Sequence, residues 1–75
     1  MIKTDSSGNN YIESDLGIDQ AVRISFIDQG WDGGNCIRIN LRDENNHIRP
    51  GAEFPIGNAQ QIVDAINLLI KNKKP

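Results

Sequence analysis

One cysteine and one histidine are the candidate nucleophile and base of this 75-residue chain. Cys36 is its one cysteine and His47 its one histidine. They lie on separate predicted strands and could face the same side, but no catalytic signature surrounds either of them. The simpler interpretation is that Cys36 packs as a small strand residue and that His47 is solvated. We therefore expect that the protein is not an enzyme.

The other polar clusters do not predict a metal or cofactor site. One cysteine and one histidine do not supply the four ligands of a structural zinc site. Gly30, Gly33 and Gly34 precede a predicted strand rather than a helix, so they indicate a turn and not a phosphate-binding loop. The adjacent Asp43 and Glu44 are typical of solvated turn acids. We expect no metal ion and no cofactor.

Four arginines on the polar side of the predicted strands are the strongest binding candidates: Arg23, Arg38, Arg42 and Arg49. A guanidinium group binds phosphate through two parallel hydrogen bonds. Antiparallel pairing would bring side chains of one face to about 5 Å from each other. Trp31, the single tryptophan, could stack on a nucleobase or close one end of the core.

An ordinary solvated face is the alternative interpretation of the same arginines. In that case Asp28, Asp43 or Glu44 would neutralise them, and no polyanion would be required. The net charge of −2 argues against a nucleic-acid binder, yet most carboxylates lie in the N-terminal stretch or in turns. Both interpretations stay open at this point.

Alternation of apolar and polar residues predicts the strands. The segment from Cys36 to Arg42 alternates strictly, with Ile37, Ile39 and Leu41 pointing inward, and the segment from Ala21 to Ile27 is also predicted to be a strand. In the latter, the apolar side consists of Val22, Ile24 and Phe26.

Shorter segments extend this sheet. Residues 11 to 18 predict a short, irregular strand, and residues 53 to 56 are predicted to continue as a fourth strand. Asp43–Asn46 suits a hairpin turn. In the extended segment that follows, up to Pro50, we expect Ile48 to point inward and His47 and Arg49 to point outward. Residues 1 to 10 are predicted to be a loose terminus.

One helix is predicted from Asn58 to about Lys71. Asn58 is a strong N-cap residue, and Gln61 three positions later completes a capping-box pattern. The helix has an apolar stripe, which consists of Ala59, Ile62, Val63, Ile66, Leu69 and Ile70. We expect the stripe to cover one face of the sheet. The predicted fold is a single α+β domain, residues 1–75, with a curved antiparallel sheet of three to four strands followed by one C-terminal helix.

A chain this short buries only about 60% of its unfolded surface. With one cysteine it forms no internal disulfide, so we expect a second subunit to add buried surface, as in a homodimer. Ala65 and Leu68 lie off the apolar stripe and are predicted to contact the partner helix. No apolar run approaches the roughly 20 residues of a membrane span, and no signal-peptide pattern opens the chain. We expect a cytoplasmic protein that does not enter a membrane.

Four short motifs follow one another between Val22 and Ile70: Trp31-Asp32-Gly33, Asn40-Leu41-Arg42, the segment from Glu44 to Gly51, and Phe54-Pro55-Ile56 before the helix. Their order resembles that of the positive-cofactor-four (p15) family of transcriptional coactivators and its small bacterial and phage relatives. Those proteins have a Trp-Asn-Gly turn, an Asp-Ile-Arg strand end, a Lys-Pro-Gly step and a Gly-Ile-Ser-Leu segment at similar places.

The resemblance implies a curved four-stranded sheet with one helix, a homodimer, and binding of single-stranded DNA. It implies that Arg42 and Arg49 are the best-matched nucleic-acid contacts. The sequence departs from the family at Ala52 and Glu53, where basic residues are usual, and in its acidic N-terminal segment. Both departures weaken the expectation of DNA binding and leave the expected fold in place.

Two functional hypotheses result. The first is a homodimeric domain that binds single-stranded nucleic acid and regulates transcription or replication. The second is a protein-interaction module, for example a phage or mobile-element inhibitor, that uses the same fold against a protein partner. The negative net charge, Glu53 and the acidic turns favour the second hypothesis.

Overall fold

The protein is a five-stranded antiparallel meander followed by one helix. A computed structural model describes residues 1–30 and 33–73. Its elements are β1 (Lys3–Thr4), β2 (Asn10–Gly17), β3 (Gln20–Ile27), β4 (Cys36–Arg42), β5 (Ile48–Pro55), a 3-10 turn (Ile56–Asn58) and α1 (Ala59–Lys71). The strands lie in the sheet in chain order. The α+β prediction is confirmed, with five strands instead of three to four.

The N-terminal segment contains one strand that the sequence pattern did not predict and one that is longer than predicted. Lys3 and Thr4 pair with Tyr11 and Asn10, so the first ten residues contain a short edge strand. Residues 10–17 form a strand of eight residues, longer than the short one predicted, and its pairing with β3 is irregular between Asp15 and Gly17, as the prediction of an irregular strand had it. Two paired residues are too few to produce a detectable alternation, and hence β1 has no signature in the sequence.

The alternation of β3 and β4 gives the sheet one apolar face and one face that carries the polar side chains together with the buried Ala21, Ile27 and Cys36. Val22 pairs with Leu41 and Ile24 pairs with Ile39, while Arg23 pairs with Asn40. Because paired residues project to the same side of a sheet, these apolar residues of both strands share one face, as predicted.

A β-bulge at Pro50–Gly51 reverses the side-chain alternation of β5. Arg38 pairs with Glu53, but beyond the irregularity Leu41 pairs with Arg49 and Arg42 with Ile48. A Cβ atom on Gly51 would overlap the carbonyl oxygen of Ile39, so the bulge requires glycine. The prediction for Ile48 and Arg49 was therefore wrong, since one extra residue exchanges the two faces.

Three of the four hairpin turns share one geometry. In the β4–β5 turn, Asn46 N–H donates to the carbonyl of Asp43 at 2.9 Å, and Asp43 N–H donates to that of His47 at 2.9 Å. The Asp5–Asn9 and Gly30–Gly34 turns have the same two bonds. The fourth position is left-handed in each, at Gly8, Gly33 and Asn46. In the Asp5–Asn9 and Asp43–His47 turns, this is the three-residue hairpin loop with a glycine-type bulge.

The β2–β3 turn is different. Ile18 and Asp19 are its two central residues, with φ of 52° and 59°. This backbone is typical of the Asn-Gly pair of a two-residue hairpin, and a β-branched residue adopts it only under strain. Ile18 is also 89% exposed, so no packing of its side chain offsets that strain.

The helix does not cover the sheet of its own chain. It begins at Ala59, one residue after the predicted start, with Asn58 at the N-cap position. Asn58 makes no side-chain cap to the backbone, and its Nδ2 donates instead to Oε1 of Gln61 at 3.3 Å. The main contacts of α1 are with the 3-10 turn before it. No residue of α1 is buried, and most of its apolar stripe remains exposed. Within residues 1–30 and 33–73, no helix combines the length and apolar character that crossing a membrane requires.

Candidate functional site

The polar face of the sheet is a continuous set of paired side chains. We use "polar face" for the side that carries Tyr11, Glu13, Arg23, Ser25, Arg38, Asn40, Arg42 and Glu53. Its short residues Ser25 and Asn40 are buried beneath the longer ones. Strand pairing therefore brings together three of the four predicted arginines.

Glu13 joins two of these arginines. Its Oε2 accepts hydrogen bonds from Nε of Arg23 at 2.9 Å and from Nε of Arg42 at 3.1 Å. Nη2 of Arg23 also lies 2.8 Å from the same oxygen. Partial burial alone would raise the pKa of Glu13, but the hydrogen bonds and charges of both arginines outweigh it, and the pKa is lowered. Glu13 is thus ionised at neutral pH and neutralises both neighbours in part.

Arg38 has a carboxylate partner of its own. Its Nε and Nη2 lie 2.8 Å and 2.7 Å from Oε1 of Glu53 on the neighbouring strand. The residue that departs from the basic family pattern is thus the ion-pair partner of a predicted nucleic-acid contact. The three guanidinium groups of the polar face consequently share two carboxylates.

Arg49 lies apart from the other three arginines. The bulge places it opposite Leu41, on the other side of the sheet. Its side chain is 63% exposed, and Nη1 lies 3.7 Å from Oδ2 of Asp43. The predicted cluster of four arginines is therefore three, plus one at the edge of the opposite face.

Asp43 stabilises the β4–β5 turn as well as pairing with Arg49. Its Oδ1 accepts the backbone N–H groups of His47 and Asn45, each at 3.0 Å. The bond from His47, then that from Asn45, lower the pKa of Asp43, helped by the charge of Arg49. The alternative interpretation suggested Asp28, Asp43 or Glu44 as partners of the arginines. Of these three, Asp43 is the ion-pair partner of Arg49. On the polar face the partners are Glu13 and Glu53, which were missed because strand pairing, not sequence proximity, brings them there.

Tyr11 also belongs to the polar face. The guanidinium carbon of Arg23 lies 4.1 Å from the centre of the Tyr11 ring, a cation–π geometry. The sequence contains a signal for this placement, because Tyr11 and Glu13 are two residues apart on one strand and share a side. Trp31, the predicted stacking residue, lies outside the described residues.

Cys36 and His47 are too far apart to act together. Cys36 begins β4 and is fully buried, with Sγ 3.6 Å from the carbonyl oxygen of Gly34. His47 follows the turn at the opposite end of β4, about 20 Å away along a seven-residue strand. Among the described residues, no group of three or more His, Cys, Asp and Glu side chains is placed to hold a metal ion.

The opposite face of the sheet is apolar and open. We use "apolar face" for the side that carries Ile12, Val22, Ile24, Phe26, Ile37, Ile39, Leu41, Ala52 and Phe54. In the middle strand, Ile24 is 41% and Phe26 40% exposed. A depression of about 170 Å³ opens there, with an apolar lining that includes Ile2, Ile12, Ile24, Phe26 and Ile37.

The two residues predicted at a dimer interface lie on the helix away from its stripe. Ala65 and Leu68 are both exposed, so the structure leaves them accessible to a partner. The apolar stripe is accessible as well, and it offers a larger apolar area than these two side chains.

Comparison of the chain with protein-family models, with curated proteins and with solved structures finds no match. The resemblance to the positive-cofactor-four family therefore stays a prediction, and the functional argument depends on the two faces of the sheet.

Proposed function

We propose that this domain is a protein-interaction module whose apolar face binds an amphipathic helix of another polypeptide. The observation that carries the proposal is the half-exposed pair Ile24 and Phe26 at the centre of the sheet. A sheet normally buries its apolar face against a second layer, and large contiguous apolar patches mark interaction sites.

The state of the polar face supports this choice over a polyanion ligand. Arg23, Arg38 and Arg42 already donate to carboxylates within the sheet. A phosphate group would have to displace Glu13 or Glu53, or bind beside a negative charge. Binding of a polypeptide at the apolar face requires neither of these changes.

The chemistry of the face also indicates the kind of polypeptide. Its residues are aliphatic or aromatic, and side chains on the face of a sheet do not form backbone hydrogen bonds with a partner. Their burial therefore needs apolar side chains from the partner. A helix with one apolar stripe completes a two-layer α/β packing in which every backbone polar group stays satisfied.

A photo-crosslinking pair tests the proposal. Replacing Phe26 by p-benzoylphenylalanine places the reactive group on the apolar face, and the same replacement at Tyr11 places it on the polar face as the matched aromatic control. Crosslinks from position 26 to a defined helical segment of one polypeptide, mapped by mass spectrometry, are expected. The proposal fails if position 26 yields no polypeptide crosslink under conditions in which the domain is folded.

Single-stranded nucleic acid at the polar face is the second candidate function. Three arginines and the ring of Tyr11 on one surface favour it, because basic grooves with aromatic side chains hold single strands. The expected behaviour is oligothymidine binding at low salt that weakens steeply as salt is added. Glu13→Gln, which removes the carboxylate shared by Arg23 and Arg42, should strengthen that binding. No binding of oligothymidine at micromolar protein would eliminate this candidate.

A further inference from the structure

From the surface that the chain leaves uncovered, we infer that the helix bound by the apolar face is α1 of a second copy. The protein is then a twofold dimer in which each helix covers the partner's sheet. This inference rests on the proposed function, because it names the polypeptide that the apolar face binds.

The amount of uncovered surface is the first argument. The chain exposes 5852 Å², whereas the scaling relation for folded monomers gives about 4,600 Å² for a chain of 8.3 kDa. The excess of roughly 1,300 Å² lies within the range of about 1,000–2,500 Å² that each subunit of an obligate dimer buries. The Cα radius of gyration is 13.7 Å, against about 11 Å for a compact domain of this length.

The second argument is that one chain presents both halves of a two-layer fold. The apolar face lacks a covering helix, and the stripe of α1 lacks a sheet, with Val63, Ile66 and Leu69 all exposed. An unrelated partner would cover one of these surfaces and leave the other in water. A second copy related by a twofold axis covers both at once, because the contact is repeated symmetrically.

The dimensions agree with this arrangement. The thirteen residues of α1 span about 20 Å, and strands β2 to β5 occupy about 14 Å from the first strand axis to the last. One helix is therefore long enough to cross the apolar face. The depression beside Phe26, about 170 Å³, can receive one aliphatic side chain of the stripe. For comparison, an apolar cavity of about 150 Å³ holds benzene.

The mass of the protein in solution is the first measurement. Light scattering at micromolar concentration should give twice the 8.3 kDa of the chain. A monomer over the whole accessible concentration range would overturn the dimer. The proposed function would survive that result if the group at position 26 still crosslinked to a different polypeptide.

Paired substitutions locate the interface. Ile66→Lys in the stripe should raise the dimer dissociation constant about 30-fold or more, as hot-spot residues do. Leu68→Lys, on the opposite side of the same helix, should change it by about twofold or less. On the sheet, Ile24→Lys should dissociate the dimer, whereas Ile18→Lys in the β2–β3 turn should not. If Leu68→Lys dissociated the dimer while Ile66→Lys did not, the stripe would not be the interface.

Wild-type protein provides the test that does not depend on the folding of a variant. In a mixture of isotope-labelled and unlabelled chains, filtered NMR spectra should show contacts between Ile66 or Leu69 of one copy and Ile24 or Phe26 of the other. Contacts only between two helices, or only between two sheets, would overturn the exchange of helices and leave a dimer of another kind.

Discussion

Glu13 holds the polar face together at the residue scale, because two guanidinium groups depend on one of its oxygens. Glu13→Gln removes the charge and leaves Arg23 and Arg42 close to each other without it. We expect the free energy of unfolding at pH 7 to fall by about 1.5–3 kcal/mol, the usual size for hydrogen bonds to charged groups. Chemical denaturation measures it, with the exposed Asp28→Asn as the control that should change little.

The same substitution has a defined pH dependence. The folded pKa of Glu13 is lower than its ordinary value of 4.5, so its contribution is fully present above that value and is lost as the pH falls through the folded pKa. The stability difference between wild type and Glu13→Gln should therefore be largest near neutral pH and shrink below about pH 4.5. A difference that stayed constant down to pH 3 would show that the carboxylate charge is not its cause.

Gly51 is the residue that fixes the register of β5. Its absent side chain lets the strand approach the carbonyl of Ile39. We expect Gly51→Ala to cost about 2–3 kcal/mol of stability, as steric overlap in a packed site does, and to shift the amide resonances of Arg49. Gly57→Ala is the matched control, because nothing lies within 4 Å of the Cβ added there. Equal stability of the two variants would contradict the role assigned to the bulge.

Among the elements, the β2–β3 hairpin has turn residues that do not suit the left-handed backbone conformation of its turn. Ile18 has φ of 52°, which costs a β-branched residue about 1–2 kcal/mol. Ile18→Asn should raise the thermal unfolding midpoint, with a gain of about 1 kcal/mol, because asparagine tolerates this conformation. Ile18→Val keeps the β-branch and should leave the midpoint unchanged. An Ile18→Asn variant no more stable than Ile18→Val would show that the turn is not strained.

The other three turns contain suitable residues. Asp5 and Asp43 accept two backbone N–H groups each, and Gly8, Gly33 and Asn46 adopt the left-handed position. These turns are therefore locally encoded. The turns that contain Gly30 and Asp43 were predicted as turns, whereas the Asp5–Asn9 turn lies in the segment that was predicted to be a loose terminus. The geometry of the turns was not predicted, because it is defined by backbone bonds that no residue pattern displays.

At the scale of the whole molecule, a dimer should make stability depend on protein concentration. Because folding would then include association, each tenfold increase in concentration should raise the unfolding midpoint by roughly 3–6 °C. Calorimetry over a hundredfold range checks this prediction. For Ile66→Lys, which weakens the proposed interface, the midpoint should lose most of that dependence. A wild-type midpoint independent of concentration would mean that the folding unit is a single chain.

Much of the fold followed from residue alternation, and much of the candidate site did not. The period-2 pattern of β3 and β4 and the helical period of α1 placed these elements and their faces correctly. The side occupied by Arg49 depended on one bulge, and the neutralisation of the arginines depended on which strands are neighbours. The uncovered helix was unpredictable for another reason: an apolar stripe has the same pattern whether it covers its own sheet or that of a second chain.

The two edges of the meander differ in how readily a further strand could pair with them. On one side, β1 is only two residues long and pairs with β2 at Asn10 and Tyr11, so the rest of β2 forms the edge. On the other side the edge is β5, which contains Pro50, Pro55 and the bulge. Because proline lacks an N–H donor and a bulge interrupts the ladder, addition of a strand is disfavoured at β5, and any growth of the sheet would begin at β2.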